Sequence, residues 1–351
     1  DRRTLARHRI SRDAGTLKLR DVIDRKVAAW ALYDWANSAF ALSIIAVLYP
    51  IFLGRYWSAG SEGADVTARL GFVTFLANFI VAVMAPVLGT IADAGGYRKR
   101  FLVIFALVGA VMTAALGFVD EGRWGWALAL YVFASIGFYS STVFYDSLLI
   151  DVTEPKNFDF VSALGFSMGY LGGATLLGIH VWMINSPATF GLDSSTDAIK
   201  LAFITVGFWW ALFLSPLIRN VPEHRRALDV SGGVVKAAYR ELRSTLRMIG
   251  QYKNVVIFLV AYLLYVAGVF TVISMAANYG QRLGFSDQAM VMAFLITNFA
   301  GFPATFAFGF IGQRFGPKTG IYIALAVYIV TSSLAVFMTT VTQFFACLLY
   351  T

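Results

Sequence analysis

Apolar residues along this chain come in long, nearly unbroken runs. Nine stretches, 30–53, 70–92, 101–119, 124–150, 161–184, 201–218, 255–277, 289–311 and 321–338, hold almost no charge, and a tenth opens near 341. A hydrocarbon layer about 30 Å thick is crossed by about 20 helical residues, and these runs have that length. Helices and closed barrels are the structures that satisfy their own backbone hydrogen bonds inside lipid. A barrel strand would alternate apolar and polar positions, which runs such as FLVIFALVGAVMTAALGFV (101–119) do not. The pattern therefore predicts an all-α integral membrane protein. Because the tenth run stops at Thr351, the chain is expected to be cut within that span.

Composition agrees with the pattern and charge adds a direction. Hydrophobic residues make up 58% and charged residues 14% of 351, with a mean hydropathy of +0.70, a surplus that no soluble core of this size can bury. Of the 28 Lys and Arg, five (Arg55, Arg69, Arg123, Lys200, Arg282) lie in alternate connections. The remaining 23 lie in the N-terminal segment and in connections on its side of the membrane. Lys and Arg accumulate in cytoplasmic segments, so the N-terminus is expected in the cytoplasm. The net charge of +8 flanks apolar spans instead of forming a soluble face, so nucleic acid is not an expected partner. A single cysteine, Cys347, and three scattered histidines (His8, His180, His224) point to no disulfide, metal or cofactor.

The connections also divide the chain. Residues 1–27 read as a basic cytoplasmic segment, 28–218 as a six-helix bundle, 219–253 as a cytoplasmic linker and 254–351 as an incomplete second bundle. Within the linker, Val235, Tyr239, Leu242, Leu246 and Ile249 recur at helical spacing, with Lys236, Arg240, Arg243 and Arg247 on other faces. That spacing predicts a surface-lying amphipathic helix.

One loop occurs twice. After the second run the chain reads Gly89-Thr-Ile-Ala-Asp93-Ala94-Gly95-Gly96-Tyr97-Arg98-Lys99, and after the eighth Gly309-Phe-Ile-Gly-Gln313-Arg314-Phe315-Gly316-Pro317-Lys318. Gly89 and Gly309, Asp93 and Gln313, Gly96 and Gly316, and Arg98 and Lys318 are all 220 residues apart, the mark of two duplicated six-helix halves. In such a loop a Gly at the helix end allows a close neighbour, an acid pairs with a base, a second Gly permits a reversal and basic residues anchor to headgroups.

Charge inside the runs is confined to Asp34 and Asp146. Counted from Lys26 and Asp151, they lie about 12 and 8 Å deep at 1.5 Å per residue. Asp34, Asn37 and Ser38 share a face of the first helix, as do Ser135, Tyr139, Thr142 and Asp146 of the fourth. Intramembrane carboxylates are costly and usually face a cavity or a partner, so these stripes are the candidate site for a proton or a substrate cation. The competing structural readings are a helix-dipole contact for Asp34 and a bond to a neighbouring helix for Asp146. Gly165-x-x-x-Gly169 reads as helix packing, His180 as a satisfied interfacial residue, and Trp30, Trp57, Trp124 and Trp126 as interface anchors. On the seventh run, Tyr262, Tyr265, Thr271, Ser274 and Asn278 are candidates for a cavity wall or a helix contact.

The repeated loop resembles the signature G-x-x-x-D-[RK]-x-G-x-[RK]-[RK] of the major facilitator superfamily, with departures at Ala94 and Gln313. A narrower resemblance joins Leu32-Tyr33-Asp34-Trp35-Ala36-Asn37-Ser38-Ala39-Phe40, Phe144-Tyr145-Asp146, the segment Gly165 to Gly173 and Gly301-Phe302-Pro303 to the vacuole-effluxer-like branch. That branch includes bacterial members and fungal vacuolar proteins of autophagy that export amino acids. The resemblance implies two six-helix bundles around a central cavity, with first and fourth helices facing each other. It also implies a cytoplasmic gating loop of Gly89, Asp93, Gly96 and Arg98, with a weaker copy at Gly309, Arg314, Gly316 and Lys318. In the seventh run Tyr265-Val266-Ala267-Gly268 lacks the acid expected before the Gly.

The function read from this is secondary active transport of a small solute, with amino acids as a first guess, by a monomer in the bacterial inner membrane. Protons are the expected coupling ion, and no G-x-x-x-x-G-K-[ST] loop is present to bind ATP. The alternatives are a non-transporting receptor or scaffold of the same fold, and a lipid-directed enzyme, for which no nucleophile, base or metal cluster appears.

Overall fold

The structure is a computed structural model and describes residues 22–223, 234–315 and 317–350. Helix α1 spans Arg25–Trp57. It is followed by α2 (Gly63–Gly95), α3 (Arg98–Leu116), α4 (Trp124–Ser147), α5 (Phe158–Asn185) and α6 (Ser195–Asn220). The linker holds α7 (Val234–Gly250), and then come α8 (Lys253–Arg282), α9 (Asp287–Phe315), α10 (Pro317–Ala335) and α11 (Val341–Tyr350). Among the described residues there is no β-strand, and eight helices are long and apolar enough to cross a membrane. The 29-residue α9 occupies the remaining predicted run, so the all-α membrane architecture stands.

Local chemistry sets the helix ends. Asp24 caps α1 by accepting from the Lys26 and Val27 amides at 2.9 Å, and the Ser194 hydroxyl caps α6 through the Asp197 amide at 3.1 Å. Gly96 ends α2 in the left-handed conformation, φ 65° and ψ 42°, where a Cβ would be strained. Three expected ends are corrected. The helices of the third, fourth and ninth apolar runs, α3, α4 and α10, stop at Leu116, Ser147 and Ala335, each three residues early, where the backbone tightens into turns.

α1 is the centre of the first bundle. It packs on α5 and α6, while α3 packs on α4 and α6, and α2 on α4. Contact with α5 depends on missing side chains: a Cβ at Gly172 would strike the Trp35 carbonyl, and one at Gly169 the Ser38 hydroxyl and the Asp34 carboxyl. The glycine spacing is thus a packing face, as small residues are between membrane helices. Beyond Ala39, α1 widens into π-helix over Phe40–Leu48 and again over Leu53–Trp57, with the Tyr49 amide bonding the Ile44 carbonyl five residues back. Runs of π-helix this long are rare.

The end of the bundle that holds the start of α1 is termed the near end, and the end that holds Trp57 the far end. α5 packs on α9 across the two bundles, and α7 lies beside α2 at the near end, with Tyr239, Arg243 and Arg247 exposed. Residues 1–21 of the basic N-terminal segment lie outside the described residues.

Candidate functional site

Polar side chains of the α-helical part of α1 meet those of the near end of α4. Ser38 Oγ donates to Asp34 Oδ1 at 2.9 Å, one turn along the same helix. Asn37 Nδ2 reaches across to Thr142 Oγ1 on α4 at 3.4 Å, and Thr142 donates its own proton to the Phe138 carbonyl at 2.9 Å. Asp146, one turn beyond Thr142, is exposed at the penultimate position of α4. Asp34 is 9% exposed and Asn37 3%, so one acid is enclosed and the other, Asp146, is exposed. Neither acid forms an ion pair among the described residues.

An aromatic cluster holds α1 and α4 in register. Trp30 stacks on Tyr145 with centroids 4.2 Å apart and donates its indole N–H to the Tyr145 carbonyl at 3.1 Å. Tyr33 sits against the same ring at 5.2 Å and accepts from Trp210 of α6 at 3.4 Å. Tyr139 of the predicted stripe turns towards the second bundle, its ring perpendicular to that of Phe270 on α8 at 6.0 Å. The α1–α4 contact therefore joins Asn37 to Thr142 with the Ser38–Asp34 pair beside it on α1, Asp146 lies one turn beyond Thr142 on α4, and Tyr139 faces α8.

The loop between α2 and α3 is wired into its own bundle. Arg98 Nε pairs with Asp93, and its Nη1 reaches the Ser147 carbonyl at 3.3 Å and Asp151 at 3.9 Å, at the end of α4. Lys99 Nζ donates to the Ile218 and Val221 carbonyls at 2.8 and 2.7 Å, and Arg100 pairs with Glu223 at 3.4 Å. The loop thus ties α2, α4 and α6 at the near end through charge-assisted bonds. A Cβ at Gly89 would meet open space, so the close neighbour expected there is not present. In the second copy, Gly309 lies within α9 and Lys318 is exposed in the first turn of α10. Gly316 and the side chains of Gln313 and Arg314 fall outside the described residues.

Other expectations change. Trp30 and Trp57 are 3% and 0% exposed, so they pack in the core instead of anchoring at an interface, whereas Trp124 and Trp126 are exposed as anchors should be. His180 is buried between helices, with Nε2 2.9 Å from Thr205 Oγ1 of α6 and Nδ1 unpartnered, so it is neither interfacial nor fully satisfied. Asn278 proves to be a helix contact, its Oδ1 accepting from Thr67 Oγ1 of α2 at 2.9 Å. A second far-end contact, an ion pair from Arg55 at the end of α1 to Asp287 at the start of α9, has no sign in the residue pattern. Nothing in local spacing links residues so far apart.

This geometry meets its relatives on three counts. The family model described as vacuole effluxer Atg22 like matches residues 61–157 and 151–348. The chain belongs to this family of major facilitator transporters. It is 34% identical over 322 residues to an uncharacterized MFS-type transporter, YxiO, of Bacillus subtilis (strain 168), covering 90% of this chain and 74% of that protein. Autophagy-related protein 22 of Pyricularia oryzae is 22% identical over 398 residues, covering 85% of this chain and 58% of that protein. The fold matches that of the xylose transporter XylE from E. coli in a partially occluded inward open conformation, with a TM-score of 0.65, 12% identity and coverage of 93% and 82%. This effluxer-like chain is accordingly a multi-pass membrane protein of a secondary-transporter family.

Proposed function

We propose that the chain moves a small solute across the bacterial inner membrane by alternating access, with its N-terminus in the cytoplasm and the α1–α4 contact as the site where coupling ion or substrate binds. The observation that carries this reading is the pair Asp34 and Asp146, two carboxylates at the near end of spanning helices with no cation partner among the described residues. Uncompensated charge at such a position is costly, and a proton or a cationic group arriving from one side relieves it. The two far-end contacts, Arg55 to Asp287 and Thr67 to Asn278, support a state closed at the far end, while exposed Asp146 supports access from the near end.

Rocking of the two bundles about this contact then exposes it alternately. In this cycle Asp93, Arg98 and Asp151 hold the near ends of α2 and α4 as one body, with Gly89 inside the last turns of α2 and Gly96 at its end. Gly309, Arg314, Gly316 and Lys318 would act in the equivalent place of the second half. The amino-acid exporters of autophagy suggest amino acids as the substrate and efflux as the direction, and no partner chain is required for the cycle.

Reconstituted vesicles test the reading. Thiols engineered beside Gly89 and Gly309 should label from the same side, and Asp34→Asn should lower proton-driven uptake about tenfold or more while substrate counterflow survives. Labelling from opposite sides, or unchanged proton-driven uptake in the variant, would refute it.

A further inference from the structure

At the far end, away from Asp34 and Asp146, a cavity of about 340 Å³ lies between the last turns of α1, the end of α5, the start of α6 and the start of α9. That volume is in the range of small-molecule sites, about 300–1,000 Å³. Much of the wall is apolar, with Leu48, Ile51, Phe52, Ile184, Ile199 and Val291 among the lining side chains. α1, α5 and α6 belong to the first bundle and α9 to the second, so both halves build the wall. Trp182, next to the lining residue Val181, is exposed and meets Phe190 edge to face at 5.0 Å. Amphipathic rings prefer the level of the headgroups, so the cavity lies at the depth where amphiphiles collect.

The charges of the wall cancel. Arg55 is its one base and Asp287 its one acid, and they pair with each other. Asp287 Oδ1 is buried without a partner, so Arg55 alone balances that acid among the described residues. Neither Asp197 nor Lys200 of α6 lines the cavity: Asp197 accepts from the Ser194 hydroxyl at 2.6 Å, and Lys200 lies over the Tyr56 ring, 4.9 Å from its centroid. The remaining polar lining groups are neutral. Ser195 donates its proton to the Ile184 carbonyl at 2.9 Å, whereas Asn185, Thr196 and Gln288 make no side-chain hydrogen bond among the described residues.

We infer that this cavity is a binding site for an uncharged amphiphile, whose apolar body lies against the aliphatic wall and whose hydroxyl or amide end meets Asn185, Thr196 and Gln288. A charged head would leave water for a wall whose own charges are already matched, a loss with no unpaired partner to offset it. The Arg55–Asp287 pair therefore sets the selectivity, and removing either partner gives the site to a head of the missing sign. A ligand that touches both bundles also favours the arrangement in which their far ends are together.

Photolabelling tests the inference. The purified chain in phosphatidylcholine nanodiscs is labelled with a diazirine analogue of octanol, and the adducts are located by mass spectrometry. Label is expected on the cavity residues of α1, α5, α6 and α9. Excess octanol should lower it about tenfold, while octyl sulfate and octylammonium, which carry the same chain, should leave it within about twofold. In Arg55→Gln the unpaired Asp287 should make octylammonium protect as octanol protects the parent, and in Asp287→Asn octyl sulfate should do so. The double variant should prefer octanol again. Val291→Trp fills the cavity and should lose the label there while keeping it on the exposed Phe258 and Leu263 of α8. The Arg55 side chain is 63% exposed, so its variant keeps the test readable if Val291→Trp does not fold. The inference is overturned if a charged probe protects the parent as octanol does, if head preference is unchanged in both single variants, or if the cavity label survives in a folded Val291→Trp protein. Label in the parent that avoids the cavity residues would overturn it as well.

Discussion

Helices α1 and α8 open the two halves of the molecule and occupy equivalent places in the duplicated plan, yet their surroundings differ sharply. α1 carries an acid, Asp34, inside its apolar stretch, whereas α8 carries none between Lys253 and Arg282. α1 is enclosed by glycines of α5 and by aromatic rings of α4 and α6, carries Asp34 and changes to π-helix partway along. α8 exposes Tyr262 along its near half and has Tyr265-Val266-Ala267-Gly268 where an acid was expected. The difference teaches that an acid inside an apolar helix is held where close helix packing encloses its carboxyl. The second half offers a hydroxyl and aromatic face without charge.

That contrast can be broken, starting with the largest effect. Asp34→Asn removes the charge of α1 and leaves its shape, so proton-driven accumulation in vesicles should fall about tenfold or more while counterflow persists. Gly172→Ala attacks the packing instead: the new methyl meets the Trp35 carbonyl, a backbone group with no room to move. Overpacking of this kind should cost about 1–3 kcal/mol, read as a lowered melting temperature in detergent. Arg98→Ala unties the near-end loop from Asp93, Asp151 and the Ser147 carbonyl. Its guanidinium side chain is 18% exposed, so a loss of about 1–2 kcal/mol is expected, together with faster proteolysis between α2 and α3. Gly268→Ala on α8 closes the comparison. A Cβ there meets nothing within 4 Å, so stability should stay within about 0.5 kcal/mol of the parent, with helix propensity tilting it upwards. A Gly268→Ala protein as damaged as Gly172→Ala would erase the distinction between the two helices.

How much of the site was legible follows from the same residues. Asp34 and Asp146 stood out because a carboxylate inside an apolar run needs a reason, and helical spacing put Asn37 and Thr142 on the faces of their helices. That the Asn37 amide spans to Thr142 was not legible, since it depends on how α1 and α4 are rotated about their axes. Trp30 misled for a related reason: a Trp at the end of an apolar run has the composition of an interface anchor, and only its stacking on Tyr145 reveals a core residue. The loop at Gly96 was readable because a left-handed turn has a local residue preference. The open space beside Gly89 was not, because it is a property of neighbours.

By itself the order of residues determined that this chain lives in lipid, that its helices come as a duplicated set, and which two acids are out of place. Those properties are local sums over windows of about 20 residues, and transfer energies act on each window separately. Tertiary structure alone decided which acid is enclosed, which glycines are contacts and that Arg55 meets Asp287 across the bundles. Such facts arise from the approach and rotation of whole helices, which van der Waals packing sets over distances no sequence window spans.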